Sequence, residues 1–93
     1  MQEEFAALAA AIPVGLFIAP NAAWYVAMIG VLLLVICVEL LNTGLEKLAD
    51  HVTPEWNDQI GFIKDIGSAA VFCMLVLAFL VWAVALALRL GLL

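Results

Sequence analysis

The sequence predicts an all-α integral membrane protein, a three-helix subunit of a helical bundle. Apolar residues fill 69% of its 93 positions, and the mean hydropathy is +1.26. Both values lie beyond the range of soluble domains. Long apolar runs at 5–19, 22–38 and 66–88 are separated by turn-forming or polar residues. Inside lipid each segment must satisfy its own backbone hydrogen bonds, so these runs form helices. Residues 1–93 make a single domain, because so short a chain has little soluble core to divide.

The first helix is expected over about residues 3–19. Its apolar run is short for a bilayer, so it begins at the membrane surface, runs tilted, or lacks a preceding segment. Pro13 removes one backbone donor, which membrane helices tolerate. Pro20 and Asn21 then form a turn. The second helix, about 22–50, reaches spanning length only if it continues through the polar positions after Val38. A polar connection is expected over about 51–63. The third helix, about 64–89, carries an apolar run long enough to cross by itself. Trp24 and Tyr25 read as an interfacial belt, and Trp56 as its counterpart at the other surface. Cys37 and Cys73 fall inside apolar runs and read as small packing residues; no metal-type or redox-type spacing accompanies them. The first run lacks the basic flank of a signal peptide.

Charge narrows the function. Eight acids against three bases give a net charge of −5, which excludes a nucleic-acid-binding face. Lys47 and Lys64 flank the long connection while Arg89 lies at the opposite end. That bias favours a cytoplasmic connection.

Up-down-up threading brings three polar sets to one level. Glu4 begins the first helix there. Glu39, Asn42, Glu46 and Asp50 end the second, and Lys64, Asp65 and Ser68 begin the third. Spacings of three and four put Glu39, Asn42 and Glu46 on one helix face. Glu39 is deepest, about 10 Å from the level of Glu46. A carboxylate so deep is costly to keep charged, which suits it to accept a proton. Nearer the surface, Glu4 and Glu46 could share a magnesium ion, which prefers one or two carboxylates plus phosphate oxygens and water. Lys64 could meet a phosphate, helped by the start of its helix. Acids for a metal, one deep base and one lysine suit phosphoryl transfer, although no P-loop or kinase-type glycine loop is present. Other uses of the same residues remain open. Asn42, Thr43 and Ser68 are equally suited to join helices; Asp50, His51, Glu55 and Asp58 fit a solvated connection; Lys64 and Asp65 fit an interfacial ion pair; and the stripe as a whole fits a small ion pathway.

These residues carry a resemblance. Val-Glu-Leu-Leu-Asn-Thr-Gly-Leu-Glu at 38–46, then Asp50, then Lys-Asp-Ile-Gly-Ser-Ala-Ala-Val at 64–71, resemble the bacterial integral-membrane diacylglycerol kinase family. The stretch 4–19 resembles that family's first membrane helix, with Glu4 and Pro13 in register. The resemblance implies a homotrimer in the bacterial inner membrane, with active sites shared between subunits at the cytoplasmic side. It implies transfer of the ATP γ-phosphate, with magnesium, to the hydroxyl of diacylglycerol. By matching position, Glu39 is the implied general base and Glu4 and Glu46 the metal–nucleotide ligands. Asn42, Lys64 and Asp65 join them at the nucleotide, with Asp50, Ser68 and Gly61 as lesser candidates. Undecaprenol is the alternative acceptor. A non-catalytic membrane scaffold is the reading from a different class. Three departures stand out. The family places a basic amphipathic surface helix before the first membrane helix, whereas this sequence starts at about that helix. Gly61-Phe62-Ile63 replaces a Gly-Arg-Ala segment. Asn57 stands where the family usually has histidine.

Overall fold

The computed structural model describes residues 2–53, 55 and 57–93. Within them the chain forms three helices and no strand: α1 (Gln2–Ile18), α2 (Ala22–Val52) and α3 (Asp58–Arg89). Consecutive helices run antiparallel, and the molecule is 53 Å along its longest axis. That length exceeds a bilayer with its headgroup layers, about 40–45 Å.

Local chemistry sets the helix starts. The Asn21 side chain accepts a hydrogen bond from the Trp24 backbone N–H at 3.0 Å and caps α2. Asn57 does the same for α3, accepting from the Ile60 N–H at 2.9 Å. Each cap satisfies one of the donors a helix start leaves open. At 1.5 Å per residue, α2 and α3 are each about 45–48 Å long, so both outrun the apolar slab. Both are long and apolar enough to cross a membrane. α1 has 17 residues and runs unbroken through Pro13.

α2 is the central element, packed along α3 over much of its length and against α1 on another side. The core is thin. Val31, Val35 and Ala78 are buried together under Leu32, Met74, Val81 and Trp82. Met28 is fully enclosed, and its carbonyl oxygen accepts from Trp82 Nε1–H at 3.2 Å. Most large apolar side chains, Phe17, Phe72 and Phe79 among them, point outward. This is an inside-out pattern that only an apolar surrounding phase can satisfy.

Two sequence expectations need correction. α3 starts at Asp58 instead of about 64, because Asn57 supplies a cap and Asp58, Gln59, Lys64 and Asp65 are carried on the helix's first turns. Tyr25, read as part of an interfacial belt, donates its hydroxyl to the Ile12 carbonyl oxygen of α1 at 3.0 Å, and Gly15 makes room: a Cβ there would sit 3.2 Å from the Tyr25 ring. Cys37 and Cys73 are free thiols on the outer surface of the chain instead of inside it. Trp56 lies outside the described residues.

Candidate functional site

The polar residues of all three helices gather at one end of the bundle, as antiparallel threading requires. α2 continues as one regular helix through Glu39, Asn42 and Glu46, so the three share a face. Glu4 of α1 and Glu39 of α2 meet across the α1–α2 seam, where both border one cleft. Glu4 therefore lies at the level of Glu39. Glu46, seven residues further along α2, is about 10 Å beyond that level. Within one chain the first-helix acid joins the deep carboxyl and not the shallow one.

Below this contact opens an apolar cleft of about 250 Å³. Ala7 and Leu8 of α1, Leu32, Val35 and Ile36 of α2, and Leu75 of α3 line it, with Glu3, Glu4 and Glu39 at its polar edge. A neighbouring cavity, about 240 Å³, has Glu39, Asn42 and Thr43 on one wall and Ser68 and Val71 on the other. Glu39 borders both cavities, so its carboxyl is the hinge between an apolar space and a polar one.

Asn42 is half-buried and donates from Nδ2 to Glu46 Oε1 at 3.3 Å. That bond fixes which way the amide faces, since turning it over would set two acceptors against each other. Its Oδ1 is buried with no hydrogen-bond donor among the described residues, and it lies against Gly67 of α3.

Lys64 is the seventh residue of α3, not its first, so the helix start contributes nothing to its anion affinity. Its Nζ donates to Asp50 Oδ1 at 2.9 Å. The ion pair thus crosses to α2 and does not form with the adjacent Asp65, which is exposed. Ser68 is exposed at the wall of the polar cavity, and Gly61 is buried in the first turn of α3, its N–H bonded to the Asn57 carbonyl oxygen at 3.0 Å. Among the described residues no three acid, histidine or cysteine side chains close around a metal position. Glu4 and Glu46, expected to share a magnesium ion, are not brought together within one chain, so that pair would need a carboxylate from a second copy.

Gly67 escaped the sequence reading, although it stands within 64–71. The available signal was a glycine inside an apolar helix, which marks a close backbone approach. Thr43, read as a helix-joining residue, also lines the polar cavity.

The fold and site define a small polytopic membrane protein with an acidic, partly apolar cleft at one end. The family model for prokaryotic diacylglycerol kinase matches residues 1–86. The chain belongs to that family, whose members are bacterial membrane kinases. It is 30% identical over 83 residues to the diacylglycerol kinase of Escherichia coli K12, spanning 89% of this chain and 68% of that protein. It is 37% identical over 71 residues to the diacylglycerol kinase of Haemophilus influenzae, spanning 76% and 60%. The Pseudomonas aeruginosa diacylglycerol kinase is 43% identical over 56 residues, spanning 60% and 46%.

Proposed function

We propose that this chain transfers the γ-phosphate of ATP to the hydroxyl of diacylglycerol, giving phosphatidic acid and ADP. The observation that supports this reading most is the position of Glu39 between the apolar and polar cavities. An acceptor with long tails and one hydroxyl needs that arrangement: hydrocarbon against Leu32, Val35 and Leu75, and oxygen at the carboxyl. In the proposed step the acceptor oxygen bonds to the γ-phosphorus while the bond to the β-bridging oxygen breaks. ADP leaves with that electron pair. The hydroxyl proton passes to Glu39, which acts as general base. Glu4 holds the Glu39 carboxyl in place across the seam. Lys64 and Asp65 face the polyphosphate end, Asn42 orients Glu46, and Asp50 holds Lys64 until an anion competes for it.

Magnesium would be held by Glu46 of one subunit and Glu4 of another, since within a chain the two lie about 10 Å apart in level, together with phosphate oxygens, and it would neutralise charge on the transferred group. The reading includes a homotrimer with sites shared between subunits. It places the acid end at the cytoplasmic face of the bacterial inner membrane, where ATP is available and where Lys47 and Lys64 lie.

The test is a transfer assay on purified chain in mixed micelles with magnesium and labelled ATP, run separately with diacylglycerol and undecaprenol. Label in phosphatidic acid is expected. Label in undecaprenyl phosphate alone reassigns the acceptor, and no label in either lipid supports the scaffold reading. Glu39→Gln should lower kcat by about 10²-fold or more while leaving the KM for MgATP nearly unchanged. An equal loss in both would give Glu39 a metal-binding or structural part instead.

A further inference from the structure

Gly67 has no place in the chemistry above, yet it is buried where α3 presses on Asn42 of α2. A Cβ built on it would collide with Asn42 Oδ1 and lie 3.0 Å from Asn42 Cγ. The neighbour it would strike is a short, two-torsion side chain and not the flexible end of a long one. That side chain is already committed: its Nδ2 donates to Glu46 Oε1, and its Oδ1 is buried against the glycine. Adding one methyl group at residue 67 must therefore swing Asn42 away or part the helices. Either motion breaks the bond that holds Glu46.

We propose that Gly67 is a positioning residue for nucleotide binding, setting the Glu46 carboxylate through Asn42. The proposal rests on the kinase reading of Glu46. The chain of contact runs from a hydrogen atom on α3, through one amide on α2, to a carboxylate one turn further along α2. Gly67 itself touches no substrate. Glu39 is not part of this relay, so the transfer step should be spared while nucleotide affinity falls.

The experiment measures equilibrium binding of magnesium with a non-hydrolysable ATP analogue to full chain in micelles, beside the phosphate-transfer assay. Gly67→Ala should weaken binding about tenfold, the effect of losing one hydrogen bond to a charged group. The KM for MgATP should follow, with kcat and the KM for lipid changed by less than about threefold. Asn42→Ala should weaken binding to a similar degree. The double variant Gly67→Ala/Asn42→Ala should be no worse than about twofold beyond Asn42→Ala, because the struck side chain is gone. The double variant should also regain thermal stability lost by Gly67→Ala.

Additive losses, or full affinity in Gly67→Ala, would overturn the proposal. So would a Gly67→Ala protein that fails to fold and is not restored by Asn42→Ala. A wild-type chain that binds the nucleotide analogue but phosphorylates no lipid would sink the kinase reading while leaving the binding relay measurable. A chain that phosphorylates lipid yet ignores Gly67→Ala would do the reverse.

Discussion

Lys64 shows how little a single residue's neighbours in sequence say about its partner in space. Asp65 follows it directly, yet the ammonium reaches across to Asp50 on another helix at 2.9 Å. The two side chains are 30% and 61% exposed, so water and salt screen them, and such pairs contribute at most about 1 kcal/mol. Asp50→Asn should therefore move the unfolding midpoint in micelles only slightly. Lys64→Met should leave that midpoint similar but raise the KM for MgATP about tenfold, since a phosphate loses its charged donor. A large drop in midpoint for either variant would make the pair a structural fastening instead. The same residues mark what the sequence could disclose. Glu39, Asn42 and Glu46 are readable as one face because they lie on one helix, where spacing alone fixes direction. The Lys64–Asp50 pair, the Glu4–Glu39 contact and the part played by Gly67 depend on how helices rotate against each other, which no spacing within a single helix encodes.

At the scale of the element, the apolar runs located all three helices but misjudged where α3 begins. Asp58, Gln59, Lys64 and Asp65 interrupt the apolar pattern over residues 58–65, and such interruption reads as loop. The decisive residue is Asn57, whose side chain holds the Ile60 N–H. Polar composition marks the end of the membrane, and the cap marks the end of the helix; here the two differ by about two turns. Asn57→Ala should destabilise the first turn of α3 by about 1 kcal/mol. Amide hydrogen exchange at residues 60–62 should accelerate several-fold, while exchange in the apolar part of α3 stays unchanged. Uniform protection in the variant would mean that packing against α2, not the cap, orders that turn.

For the whole molecule, the deciding property is that most large apolar side chains face outward. Composition alone disclosed this, since 69% apolar residues cannot be hidden inside three helices. Threading then disclosed that the polar sets share one end. The proposed orientation puts the α2–α3 connection in the cytoplasm, and Glu55 is exposed there. On a background with Cys37 and Cys73 changed to alanine, Glu55→Cys should react with a membrane-impermeant maleimide in inside-out vesicles and stay unmodified in intact spheroplasts. The opposite pattern would place the connection, and the acid cleft with it, outside the cell.

At the end of the bundle away from the acids, Arg89 donates from Nε to the Phe17 carbonyl oxygen at 3.1 Å. The last turn of α3 thus ties down the last turn of α1, close to where Tyr25 grips Ile12. Interhelical hydrogen bonds in membrane proteins contribute on the order of 0.6 kcal/mol each. Two hydrogen bonds therefore fasten α1 to its neighbours at the extremity away from the acids. The turn at residues 19–21 is thereby braced from both sides, by α2 through Tyr25 and by α3 through Arg89.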